Sequence, residues 1–474
     1  MEPIVAVASE LLKSTESFIQ FEEGLIPLIA QLVCAAVAQA LEAFDAKLCL
    51  GKADWQITRK DKRSIQCLFG TVQFERRLVI DASGVQSYPL DQALGISRGR
   101  RYSPLFMARV AELSSGAVLR TVAKAVSALT PGSISFQTVG KLYQEVGRDI
   151  AEVEQVEAAA KPAPKAERTS VPELLIEGDA FEIKIKHHQR INVHRLQVSE
   201  GVYVNGKRHM LIKRHVISGL DREVVFSRMK AYLDAHYDLA KTLIISGSDN
   251  GSGYEPDTFS VFAHSHRGQK QHVHILDVYH LNQKLKQRFS AMPVELKTKL
   301  RAAVFSGNWE QVELVMDTAE SIAAEIEDQD AAENVTSLCK YLDRNWTSIV
   351  PIADGKWRHT GLGSCESNHR AYTYRLKKQG RSWSVDGLRS MLYVIDAVQN
   401  NELGLKLSQT STFDTPQETS ALEPVQISAD FKLKDLFKTE KHLDHDGAWH
   451  GVISTQGVAS TGLAKLAGSL NQVG

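Results

Sequence analysis

Between residues 172 and 282, strand-like and helix-like stretches follow one another in an order that few architectures accept. "ELLIEGDAFEIKI", "VHRLQVSEGVYV" and "HMLIKRHVISG" read as three strands in a row. The helical "REVVFSRMKAYLDAHYD" comes next, then "TLIISGSDN" and "HVHILDVYHL". Three successive strands followed by strands interleaved with helix predict a mixed α/β sheet covered by helices.

The rest of the chain divides around that segment. Residues 1 to about 50 have helical spacing. "LIPLIAQLVCAAVAQALEAF" is the most apolar helix, but Pro27, Gln31 and Gln39 interrupt it and no basic stretch precedes it, so it reads as a packing helix and not a membrane span. "IQCLFGTVQFERRLVID" alternates about a glycine and predicts a β-hairpin over 64–80. Two helices then flank the "TPGS" break, with Ser135 placed to cap the second. A helix pair joined by a Gly-containing turn, about 117–149, has the form of a helix-turn-helix, which would offer Gln137, Thr138 and Lys141 to a DNA groove; a plain packing pair has the same pattern.

These elements make residues 1–155 an N-terminal region suited to DNA binding. "EAAAKPAPKAERTS" is a Pro/Ala/charged linker, taken as 156–171. A second domain would run over 172–405, with all-helical spacing at about 281–346. Residues 406–474 are rich in Ser, Thr, Gln and Pro and predict a flexible tail, with "FKLKDLFK" as one short amphipathic piece.

Charge is uneven although it sums to zero over the 474 residues. Phe181 to Lys230 holds eleven lysines and arginines against four acids, Ser367 to Ser384 holds five basic residues and no acid, and Asn308 to Glu333 between them holds nine acids and no lysine or arginine. Basic segments of this kind suit a polyanionic partner. The five cysteines have no CxxC spacing, which argues against a disulfide framework or zinc ribbon and fits a reducing cytoplasm.

Carboxylates inside apolar strands need a reason, because an unpaired buried acid either neutralises or finds a cation. Asp179 lies mid-strand in "LLIEGDAFEIKI". "TLIISGSDNGSGY" runs an apolar strand straight into Asp249, at the carboxyl end where α/β sheets place their sites; the plain alternative is an Asx cap on the next turn. Glu366 opens a helix in "GSCESNHRAYTYRLKKQGRSWS", followed by Arg370, Arg375, Lys377, Lys378 and Arg381. If that helix packs beside the two strands, three carboxylates meet, and such a set holds hard divalent cations. The basic residues beside it would neutralise phosphates, or else form a solvated face.

"CESNHRAYTYRLKKQGRSWSVDGLRSML" resembles the C-terminal signature of the ISLre-type bacterial insertion-sequence transposases, in which a glutamate precedes an arginine and then a Gly-x-x-Trp-Ser block containing Trp383. The resemblance extends in order through "YLDRNWTSI", "ILDVYHLNQKL", "YLDAHYD", "IEGD", "PLDQALGI" and "LFGTVQFERR", over roughly residues 55 to 400. It implies an RNase H-like DDE catalytic domain with a helical insertion. Asp179, Asp249 and Glu366 would be the catalytic triad holding two Mg²⁺ ions, with Mn²⁺ able to substitute. Asp277 and His280, of the "LDxxH" motif, would lie where the chain enters the insertion as auxiliary residues. It further implies double-stranded DNA as partner, namely transposon ends and target, a homo-oligomer on DNA, no membrane, and a cytoplasmic, nucleoid-associated protein. Two departures stand out: "GDAFEI" lacks the further acids and histidine of the first motif, and "SDNGS" replaces the usual "GDGA".

Two other readings stay open in the sequence. His187, His188, His194, His209 and His215 suggest a transition-metal hydrolase, although their spacing matches no such motif and alternation along strands would scatter them. A catalytically inactive or domesticated DNA-binding or regulatory protein would keep the same basic segments.

Overall fold

The structure is a computed structural model that describes residues 2–97, 99–159, 164, 167–206, 208–263, 265–266, 269–354, 362–380 and 382–409. The chain divides into two units, residues 1–36 with 420–474, and residues 37–419.

The first unit contains α1 (Glu2–Ser14) and the start of α2 (Phe18–Cys49). The two helices meet where Gly24 lies against the Leu11 side chain. The packing role expected for the apolar helix is not what appears: Phe18, Ile19, Ile26 and Ile29 stay largely exposed. Pro27 sits inside the helix without ending it. By length and composition, α2 is the one helix among the described residues able to cross a membrane.

In the second unit the expected hairpin is longer than its apolar alternation. β1 (Gln56–Cys67) pairs antiparallel with β2 (Gly70–Ile80), and β3 (Gln86–Ser87) adds a short third strand. The extra residues of β1 are mostly polar or charged and, apart from Arg63, not buried, so they carry no apolar alternation. Backbone pairing and cross-strand partners hold them instead. Arg63 and Arg76 both pair with Asp91 on α3 (Pro89–Ala93).

α4 (Pro104–Gly116), α5 (Leu119–Leu129) and α6 (Phe136–Ala159) follow. Ser135 caps α6, its Oγ accepting from the Thr138 N–H at 3.1 Å.

A five-stranded sheet comes next, built from β4 (Glu173–Lys184), β5 (Arg190–Ser199), β8 (His215–Gly219), β9 (Leu243–Ser248) and β12 (His272–Leu276), in the order β12-β9-β4-β5-β8. β4, β5 and β8 pair antiparallel, whereas β9 and β12 run parallel to β4. The stretch read as one strand over "HMLIKRHVISG" divides at Lys213, whose φ is 46°, into β8 and the end of a small hairpin, β6 (Val202–Asn205) with β7 (Arg208–Leu211). β10 (Ser265–His266) and β11 (Gln269–Lys270) form another small hairpin.

Helices cover both faces of the sheet. α7 (Arg222–His236), capped by Asp221, packs with α8 (Pro256–Phe259) over Leu174, Ile176, Leu196 and Ile217. α9 (Val278–Arg288), α10 (Val294–Phe305), α11 (Trp309–Glu325) and α12 (Gln329–Ala353) bury their own core about Val304, Val312, Leu338 and Leu342. α13 (Ser364–Asn368), α14 (Arg370–Leu376), α15 (Val385–Gln399) and α16 (Leu403–Gln409) end the described chain. The tail from 410 on, with "FKLKDLFK", lies outside the described residues.

One cluster of buried side chains crosses the linker. Phe106, Val139, Val146 and Ile150 of α4 and α6 join Ile183 of β4 and Leu388, Met391 and Ile395 of α15. α6 and α15 touch closely at Gly147, where a Cβ would fall 2.4 Å from the Ser390 carbonyl oxygen. Only a glycine permits that approach without moving backbone.

Candidate active site

The register of the sheet levels three aspartates. In the parallel pairing of β4 with β9, Glu177 lies opposite Gly247; β12 pairs with β9 with Leu276 opposite Ser248. Carried on past the end of β9, the same register sets Asp179 beside Asp249 and Asp249 beside Asp277. Neighbouring strands lie about 4.8 Å apart. Side chains alternate faces with period two. These aspartates therefore share the face of Leu175, Ile245 and Ile275, which pack together.

The strand that carries Asp179 is fixed on its other face by a glycine. A Cβ on Gly178 would come within 2.7 Å of Leu196 and 2.8 Å of Phe259. The close fit prevents β4 from sliding, so Asp179 keeps its level.

The second acid in that strand, Glu177, is 5% exposed and has a different task. Its carboxylate accepts from the Gly363 N–H and the Ser364 hydroxyl, at the start of α13, and from Gln197 Nε2 at 2.7 Å. Arg195, fully buried and opposite Asp179 in the register, donates to Gln197 Oε1 at 2.7 Å and to the Cys365 carbonyl at 3.0 Å. Asn368 of α13 also donates to Gln197, at 3.2 Å. Burial pushes the Glu177 carboxyl up, against the hydrogen bonds from Ser364, Gly363 and Gln197. The sequence marked it as an acid inside an apolar strand but not its role, because its partners lie on β5 and at the start of α13.

This network pins α13 over β4. Glu366 is the third residue of that helix, next to Cys365; its side chain lies outside the described residues. His369 completes the contact, with Nδ1 3.6 Å from Asp179 Oδ2 and Nε2 3.6 Å from the Cys365 sulfur. Burial, with the charges of Arg195, Lys377 and His280, lowers His369 to about 3, so its ring is neutral at pH 7. Sequence reasoning missed it; a histidine one turn after Cys365 was the available signal.

Neighbouring groups register the crowded negative charge. The Tyr254 phenol is pushed up by burial and by both Asp179 and Asp249. Burial pushes Tyr341 up to about 12, with contributions from Asp249 and Asp277. The Cys365 thiol is raised by burial, and by Glu177, Asp179 and Asp277 against Arg195. Among the described residues no three His, Cys, Asp or Glu side chains form a group that could hold a metal ion. The Glu366 carboxylate is not among them. Half-buried aspartates offering only oxygen suit Mg²⁺ or Mn²⁺ better than softer ions.

Local hydrogen bonds orient two of the aspartates. Asp249 Oδ1 accepts from the Gly251 N–H at 2.8 Å, the Asx turn that its sequence allowed. Asp277 caps α9, accepting from the Tyr279 and His280 N–H groups at 2.7 and 3.1 Å. Asn250, the residue that departs from the family pattern, has φ 54° and is held on two sides: His274 Nε2 lies 2.7 Å from its Oδ1, and its Nδ2 donates to Asn345 of α12 at 2.8 Å. Ser246 Oγ bridges His274 Nδ1 and His272 Nε2, each at 2.7 Å. Burial, with His272 adding to it, lowers His274 to about 3.

The expected DNA contacts sort into two groups. Gln137, Lys141, Arg370, Lys377 and Lys378 are exposed, and Thr138 is half-buried. Arg375 is 1% exposed: its Nε donates to the Ser114 carbonyl at 2.6 Å, and its guanidinium lies over the Trp383 ring. Trp383 is buried too, with Nε1 donating to the Leu376 carbonyl. Arg375 as a phosphate contact is thus corrected to a fold-holding cation, and Trp383 to its platform. Arg381 lies outside the described residues. His280 is half-buried at the start of α9.

The histidines do not converge. His194 meets Tyr254, His215 stacks on Tyr232 and pairs with Glu402, and His187 and His188 sit on the turn between β4 and β5. The His209 side chain lies outside the described residues.

Comparison with known proteins covers nearly all of this architecture. A family model described as an uncharacterised protein family, UPF0236, matches residues 11–408. A UPF0236 protein of Streptococcus gallolyticus, named for its place in the vanSb 3′ region, is 33% identical over 84% of this chain and 86% of its own length. A UPF0236 protein of Caldanaerobacter subterraneus subsp. tengcongensis, whose printed name joins eleven numbered labels, is 23% identical over 72% of this chain and 68% of its own. Another from that organism is 23% identical over 82% of this chain and 80% of its own. With a family match that spans the hairpin, the sheet, helices α9 to α12 and the α13 to α15 region, the chain belongs to the UPF0236 family.

Proposed function

We propose that this protein is a DDE-type DNA transposase that cleaves and joins DNA strands with a divalent metal. The observation that supports the reading is the parallel pairing of β4 with β9 up to Glu177 opposite Gly247, two residues before Asp179 and Asp249, beside the helix that bears Glu366. The reading takes that sheet as RNase H-like. It takes 281–346 as the insertion within helices α9 to α12, and the α5 and α6 pair as a helix-turn-helix on terminal repeats.

Two Mg²⁺ ions held by Asp179, Asp249 and Glu366 would supply charge neutralisation and an activated nucleophile for phosphodiester exchange. The chain's own residues do the positioning. Glu177, Gln197 and Arg195 hold α13 in place. Neutral His369 fills the space behind Asp179 without competing for it as a cation. Asn250 and His274 fix the turn that aims Asp249. Lys377, Lys378 and Arg370 present positive charge to the DNA backbone. A relative whose name joins eleven labels from one organism suits a sequence present in many copies, as a self-mobilising element would be. The protein would act in the cytoplasm, as a multimer that handles two DNA ends together.

The test uses linear DNA carrying both flanks of the gene. Wild-type protein with Mg²⁺ nicks at the element ends and transfers the freed 3′-hydroxyl; Asp179→Asn binds the same DNA within about threefold and loses at least about a thousandfold in nicking, roughly 4 kcal/mol in barrier. Undiminished nicking by that variant rejects the assignment.

A further inference from the structure

A cavity of about 690 Å³ opens between the turn joining β4 to β5 and the segment that follows α14. Lys184, His187, His188 and Arg190 line one wall; Lys377 and Ser382 line the other. Among the described lining residues Glu182 is the one acid, and Arg190 pairs with it at 2.9 Å. Lys184 and Lys377 are left to set the sign, with two imidazoles beside them. Volumes of this size take ligands larger than a lone phosphate.

The cavity is built, since backbone holds both walls together. The Lys186 N–H donates to the Trp383 carbonyl at 3.0 Å, and Ile185 bridges to Trp383 as a parallel pair. The Ile185 N–H closes the turn on the Gln189 carbonyl at 2.9 Å. His187 and His188 both have φ near 59°, a left-handed conformation unfavourable for a non-glycine residue that histidine adopts more readily than most. Two consecutive strained residues present both rings at the mouth.

The cavity also lies at the far end of the strand that carries Asp179. β4 runs five residues from Asp179 to Lys184, about 17 Å at strand rise, an odd spacing that sets the two side chains on opposite faces of the strand. Lys377 stands over Phe181, two residues beyond Asp179, 5.2 Å from the ring centre.

We infer that this cavity binds a backbone phosphate of DNA, with Lys184 and Lys377 as its charges and His187 and His188 as hydrogen-bonding or stacking partners. The inference rests on the transposase reading for its substrate, yet it is measurable without catalysis. The site combines two elements far apart in sequence, one from each of the two basic segments, and joins them in one cavity.

Fluorescence anisotropy of a labelled 40-base-pair duplex from the gene's flank, without divalent metal and over a range of KCl, tests it on the full chain. Lys184→Ala/Lys377→Ala should bind about tenfold more weakly at 100 mM salt, with the slope of log K against log salt shallower by about two. His187→Ala/His188→Ala should weaken binding about threefold with a smaller change in slope. Lys299→Ala/Lys340→Ala, exposed lysines of α10 and α12, serves as control and should stay within twofold. Unchanged affinity and slope in the first variant, equal loss in the control, or no DNA binding by the wild type overturns the inference. Binding through Lys184 and Lys377 by a protein that cleaves no DNA would sink the transposase reading alone.

Discussion

Two acids two residues apart on β4 have opposite duties. Glu177 is enclosed by donors and holds another element, whereas Asp179 is half-buried at the level where the parallel strands end. Asp179 and Asp249 were singled out in the sequence because an acid within or directly after an apolar strand needs a partner. Glu177 meets the same description, but its structural role was not legible, because Gln197, Gly363 and Ser364 become its partners only on folding. Arg375 shows the converse, since a basic run in sequence cannot tell which of its cations turns inward.

His274 gives this scale its own prediction. Its folded pKa is about 3 against about 6.5 in an unfolded chain, so below pH 6.5 the unfolded state takes up a proton that the folded state refuses. The stability is complete above about pH 6.5 and drains away as pH falls toward 3. His369, shifted the same way, adds to the effect. Thermal melts should show Tm falling between pH 7 and pH 5, and falling less in His274→Gln. A His274→Gln protein with the full wild-type pH dependence would mean that the buried imidazole is not the group refusing the proton.

Among elements, α13 depends on its cap more than on its own length. Five residues cannot form a stable helix alone, since nucleation is costly, so the contacts from Glu177 and Arg195 must hold it. Glu177→Ala removes the carboxylate that accepts from Gly363, Ser364 and the buried Gln197, which keeps the Ser364 hydroxyl as its other acceptor, at about 1–3 kcal/mol in all. The expected outcome is a lower Tm with nicking lost by more than about tenfold; Glu177→Gln, which keeps an acceptor, should recover most of both. Equal damage from the two substitutions would show that charge, and not capping, is what Glu177 supplies. Element boundaries were legible where period and burial agree, as in β4 and β9. They were not at the start of β1, where "QITRKDK" pairs without being buried, nor at Lys213, where a positive φ divides a stretch that reads as one strand.

For the 37–419 unit as a whole, the linker in the sequence did not separate two cores. α4 and α6 share buried side chains with β4 and α15, and Gly147 admits α15 at a distance no other residue would allow. Composition could announce a change of segment near residue 160, but only packing decides whether a change of segment is also a change of core. This arrangement ties the helices proposed to read DNA to the strand that carries Asp179.

The central claim is that side chains at 179, 249 and 366 share divalent metal. Crystals of the protein with a DNA duplex, soaked in Mn²⁺ and measured at the manganese edge, address it directly. The account predicts anomalous density between Asp179 and Asp249 with the Glu366 carboxylate as a ligand, and its loss in Asp249→Asn. Density elsewhere, or none at these residues in a preparation that cleaves DNA, would contradict it.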